Sequence, residues 1–202
     1  MPEMPSTHPT PAPMDAAALA VLFDTYADRI YRLALGLSQD SQEAEDIVQE
    51  TFLKVIAQAR HFEGRSSIAT WIYRIAYNTS IDRLRQRKED PLPQQAVDES
   101  LPLPMPTLLV EWLTPEKILL GEEGEGVLAN AISKLPETLR AVFILRDIDE
   151  LSTEETAQIL EITPGAVKVR LHRARLQLRE FLAGYFYERQ LPHQANSIEG
   201  VL

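Results

Sequence analysis

The sequence predicts an all-α chain of two small helical domains joined by a flexible linker, on three observations. Apolar residues recur three or four positions apart in separate blocks, the period of a helix with one buried face. Nowhere does an apolar-polar alternation run between turn signals, as a half-buried strand would. Between the blocks Pro91, Pro93, Pro102, Pro104 and Pro106 exclude regular helix or central strand. The chain therefore divides into a proline-rich, unstructured 1–14, a helical domain over 15–89, a proline-rich acidic linker over 90–113, a second helical domain over 114–184, and a tail over 185–202. At 202 residues either unit has enough chain for a core.

In the first unit a helix is expected from Asp15 to Leu37, burying Leu19, Leu22, Phe23, Tyr26, Ile30, Leu33 and Leu37. Ser41 is the expected cap of a second helix, with Ile47, Val48, Thr51, Val55 and Ile56 on one face and Asp46, Glu50 and Lys54 on the other. The loop "ARHFEGRSS", broken by Gly64, leads to a third helix capped by Ser66 or Ser67. On it Ile68, Trp71, Ile72, Ile75, Ala76 and Thr79 form the expected buried stripe. Tyr73, Arg74, Tyr77, Asn78, Arg85 and Lys88 then point away from it. A helix over 67–88 is a rod of about 33 Å, long enough to cross a nucleic-acid strand.

The second unit opens with Thr114 capping Pro115. In "LPETLRAVFILRDIDE" Pro136 sits at a first turn and Leu139, Val142 and Phe143 face inward. Ser152 and Glu155 form a capping box for "STEETAQIL", "EIT" makes a turn, and Thr163-Pro164 starts "TPGAVKVRLHRARLQLREFL". Two short helices joined by three residues, with Ala157 at the close crossing and Val167 buried, form a helix-turn-helix pattern. Its second helix carries a run of bases, the arrangement of a recognition helix in a major groove.

Composition removes several function classes. Without cysteine there is no disulfide framework and no thiolate metal site, which fits a reducing cytoplasm. His8, His61, His172 and His193 are scattered, so no metal or other cofactor is expected. No apolar run approaches the roughly 18 residues of a membrane span, and the N-terminus lacks the pattern of a secretory signal, so neither insertion nor export is expected. The acidic pairs Glu43 with Glu45 and Glu154 with Glu155 do not converge on one substrate, so no catalytic group is expected. A net charge of −10 alone argues against nucleic acid. Its distribution argues otherwise. Six bases stand against one acid between Arg65 and Lys88, and five bases with no acid between Lys168 and Arg179, while 89–126 holds nine acids against Lys117. A phosphate backbone meets local charge.

The blocks "DIVQETFLKVIAQARHF", "TWIYRIAYNTSIDRLRQR" and "LPETLRAVFILRDIDELSTEETAQILEITPGAVKVRLHRARLQLREFL", in this order with a linker between them, resemble the extracytoplasmic-function (ECF) sigma factors of bacterial RNA polymerase. The resemblance covers roughly 15–89 and 114–182 and implies a transcription initiation factor without catalysis of its own, built from sigma regions 2 and 4. By position it implies that Asp46, Gln49, Glu50, Phe52 and Lys54 contact the clamp helices of the polymerase β′ subunit. It implies that Phe62, Glu63, Gly64, Arg65 and Ser66 hold an unstacked base of the minus-ten element, with Trp71, Tyr73, Arg74, Tyr77 and Asn78 along the non-template strand. Lys168, Val169, Arg170, His172, Arg173 and Arg175 would enter the major groove at the minus-thirty-five element. The implied partners are core RNA polymerase, through β′ and the β flap, double- and single-stranded promoter DNA, and an anti-sigma factor. Stacking an exposed base on an aromatic ring, worth about 1–3 kcal/mol, suits the interleaved tyrosines and arginines.

Family members commonly carry glycine where Glu161 stands, and a small hydroxyl residue where Val169 stands. The latter substitution implies an apolar contact to a thymine methyl in place of a hydrogen bond. Other readings remain open at this level. Asp46, Glu50 and Lys54 suit a solvated helix face, Trp71 the core, and Tyr73 and Tyr77 packing at its rim. The whole chain also fits a stand-alone helix-turn-helix regulator, or a helical protein-binding module with no DNA role.

Overall fold

A computed structural model describes residues 15–62, 64, 66–87 and 122–190, with side chains at 87, 122–125 and 184–190 left aside. Every regular element among the described residues is helical, as the sequence predicts. The expected linker, the Thr114 cap, Glu63, Arg65 and Lys88 lie outside the described residues. The described residues divide into two compact units, one holding those between 15 and 87 and one holding most of those in 122–190. No described helix is long and apolar enough to cross a membrane.

The first unit is a three-helix bundle of α1 (Ala16–Ser38), α2 (Ser41–Gln58) and α3 (Ile68–Arg87), each packed on the other two. Local chemistry makes the α1–α2 hairpin tight. Asp15 caps α1 by accepting from Ala18 N at 2.8 Å. Gln39 ends it at φ 57°, with its N–H donating to Leu35 O at 2.8 Å. The next residue, Asp40, already accepts from Glu43 N at 3.1 Å and caps α2. The expected cap, Ser41, is instead the first helical residue; both residue types cap, and the two-residue connection places the carboxylate over the free N–H groups. Ala34, Ala44 and Ile47, all with no exposed surface, pack where the helices approach, and Ile30, Leu33, Leu37, Val55, Ile72 and Ala76 continue the core. Replacing Leu33 by Ala would cost about 2–5 kcal/mol through lost burial and a residual cavity.

In the second unit α4 (Glu122–Ser133) and α5 (Glu137–Phe143) precede a π-helical turn (Ile144–Ile148), then α6 (Thr153–Leu160) and α7 (Pro164–Gln190). Both α4 and α5 pack on α7, whose Val167, Leu171, Ala174, Leu178 and Leu182 are buried. The expected inward residues of α5, Leu139, Val142 and Phe143, are in the core. Arg140 is buried with them and donates Nη1 to Ser133 O at 2.7 Å, capping the end of α4; desolvation pushes its guanidinium pKa down. The capping box forms as its sequence predicts, with Ser152 N donating to Glu155 Oε2 at 2.9 Å and Glu155 N to Ser152 Oγ at 3.1 Å. Glu161 then turns the chain at φ 55°, and Ile162 N–H donates to Ala157 O at 3.1 Å. That pair of features is a Schellman motif with glutamate in its left-handed position. Thr163 caps α7 by accepting from Ala166 N at 3.1 Å.

Candidate functional site

Three surfaces carry the residues singled out by the sequence. On α3 the helix starts where Ser67 Oγ accepts from Thr70 N at 3.0 Å. Just before it, Phe62 leaves a short 3-10 turn and lays its ring against Trp71, centroids 5.0 Å apart and planes tilted by 43°. Gly64 follows at φ 69°, a conformation that favours glycine, with open space where a Cβ would stand. Ser66 is half-buried beside it. Along the outward side Trp71 and Arg74 are half-buried, and Asn78 and Arg85 are exposed. Arg74 keeps its Nε shielded and without a hydrogen-bond partner in the structure. Phe62, Gly64, Ser66, Trp71, Arg74 and Asn78 thus follow one another from the loop onto one face.

Tyr73 does not belong to that face. It is 0 % exposed, beneath the Arg29 guanidinium, which lies 5.8 Å from its ring centroid, and Tyr77 is half-buried. The buried arc of α3 is displaced from the expected stripe by about one residue position, about 100° of helix rotation. Thr70 and Ser80, which the stripe left out, are buried together with the expected Thr79, each at most 1 % exposed. Ser80 Oγ donates to Ala76 O at 2.8 Å and Thr79 Oγ1 accepts from Lys54 Nζ at 3.0 Å, so these side chains enter the core with their polar atoms satisfied. The arc swings toward them, taking Tyr73 in and leaving Trp71 and Ile75 at the margin.

On α2 the expected polar face is bound up within the unit. Arg83 of α3 donates Nε to Glu50 Oε2 at 2.8 Å, and its Nη1 lies 3.2 Å from Glu43 Oε1 and 3.4 Å from Asp46 Oδ2. Lys54 Nζ sits 2.9 Å from Glu50 Oε1. The hydrogen bonds from Lys54 and then from Arg83 hold the Glu50 carboxyl below its ordinary value, against a smaller desolvation effect. Phe52 is 6 % exposed with its ring 4.8 Å from Phe23, so it is a core residue and not a contact surface. Ile56, expected inside, is 54 % exposed, and Leu53 is 66 % exposed. With exposed Gln49 they make a row at i, i+4 and i+7. The inner row of α2 holds Ile47, Thr51 and Val55 as expected, with Phe52 inside it and Ile56 outside. The available signal was the small Ala44 and Ala59, which extend the inner row and displace Ile56 from it.

On α7 Lys168 is exposed, while Val169, Arg170, His172 and Arg173 are half-buried. Val169, His172 and Arg173 project opposite the buried Val167, Leu171, Ala174 and Leu178, and present an apolar group between a ring and a cation. Arg175 is placed differently. Asp147 of the π turn takes its Nε at 2.8 Å and its Nη2 at 2.6 Å, a two-point ion pair that raises the guanidinium pKa. The charge of Arg175 is therefore met within the protein by Asp147.

Comparison with known proteins finds matches over both units. A family model described as Sigma-70 region 2 matches residues 22–89, and one described as Sigma-70, region 4 matches 126–178. The ECF RNA polymerase sigma factor SigW of Bacillus subtilis is 38% identical over 169 residues, spanning 83% of this chain and 90% of the relative. The RNA polymerase sigma-H factor of Pseudomonas aeruginosa is 33% identical over 162 residues, spanning 80% and 84%. Among solved structures, the sigma factor RpoE of Bartonella quintana in complex with the anti-sigma factor NepR aligns with TM-score 0.60 at 23% identity, over 81% of this chain and 96% of that one. CnrH in complex with the cytosolic domain of CnrY aligns with TM-score 0.59 at 21% identity, over 84% and 90%. At those identities the structures speak for the fold.

Proposed function

This chain belongs to the ECF RNA polymerase sigma factors, and from that premise we propose that it binds core RNA polymerase in the cytoplasm, brings it to specific promoters and helps to open them. It carries no catalytic group in this reading; RNA synthesis is the chemistry of the polymerase. The observation that carries the proposal is the pairing, in one chain, of an outward row of aromatic and hydrogen-bonding residues on α3 with a capped helix-turn-helix whose second helix projects Val169, His172 and Arg173. A stand-alone regulator has use for the second feature and none for the first.

For the described residues the assignments follow exposure, and for Glu63 and Arg65 they follow sequence position alone. Trp71, with Phe62 behind it, Arg74 and Asn78 take the non-template strand, and the turn around Gly64, with Glu63, Arg65 and Ser66, takes an unstacked base of the minus-ten element. Tyr77 flanks this row, while Tyr73 supports it from within the core. Lys168, Val169, Arg170, His172 and Arg173 read the minus-thirty-five element, with Val169 against a thymine methyl. Leu53 and Ile56 make the apolar centre of the surface for the β′ clamp helices, with Gln49 beside them and the fixed charges of Asp46, Glu50 and Lys54 at its edge. The second unit docks on the β flap, and an anti-sigma factor that covers the same surfaces holds the protein inactive. The overall negative charge then keeps the free protein a weak DNA binder until the polymerase joins it.

Run-off transcription with purified core polymerase on a pool of genomic promoter fragments tests the proposal. Discrete transcripts that require both proteins are expected. Silence from a folded protein, together with tight binding of the protein alone to a two-fold symmetric DNA site, would replace it with the regulator reading.

A further inference from the structure

Arg175 stands in the basic run of the recognition helix, and by sequence alone it is one more cation for DNA. Its surroundings are those of a structural group. Two of its guanidinium nitrogens, Nε and Nη2, are 2.8 and 2.6 Å from the two carboxylate oxygens of Asp147, whose side chain is only 16 % exposed. On α7 it lies next to the buried Leu171, Ala174 and Leu178, to the side of the Val169, His172 and Arg173 face. The other half of the pair sits in an irregular element. Ile144–Ile148 is wound as a π turn, with Asp149 N–H donating to Ile144 O at 2.8 Å, and the extra residue per turn rotates Asp147 out of the register a continuous α-helix would give it. The turn is fixed at its far end. Leu151 N–H donates to Leu145 O at 2.9 Å, Arg146 Nη1 donates to Leu151 O, and Glu150 adopts φ 57° between them.

Resting on the sigma-factor reading, we propose that Arg175 is a positioning residue: the Asp147–Arg175 clasp sets the angle at which α7 leaves its scaffold, and so the register of Val169, His172 and Arg173 in the groove. Burial of the carboxylate in a fixed turn gives the clasp one geometry, and a planar fork is the side chain that meets two oxygens at once. Promoter selectivity, and not phosphate affinity, is what the clasp governs.

The test uses holoenzyme assembled from core polymerase and full-length protein carrying Arg175→Lys, Arg175→Asp, or the reciprocal pair Asp147→Arg with Arg175→Asp. Three quantities are read: binding to a promoter fragment against one with a scrambled minus-thirty-five element, the slope of log K against log salt, and thermal melting of the free protein. Arg175→Lys is expected to fold but to lose about tenfold in selectivity, with a salt slope unchanged from wild type, because lysine keeps the charge without the fork. The reciprocal pair is expected to recover most of what Arg175→Asp loses. A phosphate contact gives the opposite pattern: Arg175→Lys near wild type, and a slope about one unit shallower in the reciprocal pair, which removes the cation at that site. Either result overturns the proposal, as does full selectivity in every folded variant, which would make the pair a stability element alone. If wild-type holoenzyme selects no promoter at all, the sigma-factor reading fails instead. Melting still judges the clasp, since only a real pair is rescued by exchange.

Discussion

Arg83 of α3 donates its Nε to Glu50 of α2 at 2.8 Å, and around this contact Glu43, Asp46 and Lys54 gather into a single charged cluster. Because these side chains are a fifth to two-fifths exposed, each pair contributes little alone, about 0.2–1 kcal/mol, and the network holds α3 to α2 collectively. Arg83→Ala should lower the unfolding free energy by about 1 kcal/mol in low salt and by less in high salt. Urea titrations at two ionic strengths check this. A loss that does not depend on salt would mean that Arg83 acts by packing.

Glu50 also makes the bundle acid-sensitive in a defined direction. Its folded pKa lies below the ordinary 4.5, so its contribution is present in full above about pH 4.5 and is lost as pH falls through the lowered folded value. Glu50→Gln should be less stable than wild type at neutral pH, fall less steeply below pH 4.5, and converge with it in acid. Parallel curves throughout would place the acid sensitivity at other carboxylates.

Trp71 and Tyr73 are two residues apart and face opposite fates, and their alanine variants should separate function from folding. Tyr73 is 0 % exposed, so Tyr73→Ala should cost about 3–5 kcal/mol of stability, like other buried aromatics. Trp71→Ala should melt near wild type, bind the closed promoter normally, and lose about 5- to 150-fold in open complex, the equivalent of one base stack. Permanganate reactivity of minus-ten thymines reads the opening. Normal opening by Trp71→Ala would remove it from the strand's path.

How far the sequence reveals this protein differs from element to element. The Ser67 and Thr163 caps and the Ser152–Glu155 box were legible, since each acts through neighbours a few residues away, whereas the cap expected of Ser41 is supplied by Asp40 one residue earlier. The inward face of α3 was legible in part: Ile72, Ala76 and Thr79 are inside as expected, but an apolar-stripe argument does not count Thr70 and Ser80 as core, and the polar atoms of these buried hydroxyl residues are satisfied by partners that periodicity does not encode, among them Lys54, 25 residues away from Thr79. Phe52 and Ile56 exchanged roles for a related reason: Phe52 meets Phe23 from another helix, a contact that no periodicity within α2 encodes. Arg175 was read by its charge, and its partner Asp147 lies 28 residues away in a π turn without a sequence signature.

Leu53, 66 % exposed, makes few contacts within its own unit, so its chemistry is free to serve a partner. Leu53→Asp should change stability by no more than about 0.5 kcal/mol, yet weaken association with core polymerase by about tenfold or more, since a charge buried at an interface stays unpaired. Fluorescence titration of labelled protein with core gives the affinity. Unchanged binding by Leu53→Asp and by Ile56→Asp would move the polymerase surface to another side of the bundle.

Glu161 offers a prediction of opposite sign, a substitution that strengthens the protein. At φ 55° an L side chain costs about 1–2 kcal/mol relative to right-handed backbone, and glycine escapes that cost while giving up about 0.5–1 kcal/mol of chain entropy on folding. Glu161 is exposed, so its removal opens no cavity. Glu161→Gly should therefore raise the stability of the second unit by up to about 1 kcal/mol with an unchanged denaturant slope, and Glu161→Val, β-branched in the same position, should lower it. Because the turn sets how α6 meets α7, the glycine variant should also keep wild-type promoter selectivity. Destabilisation by glycine would show that the Glu161 side chain does more in the folded state than occupy the turn.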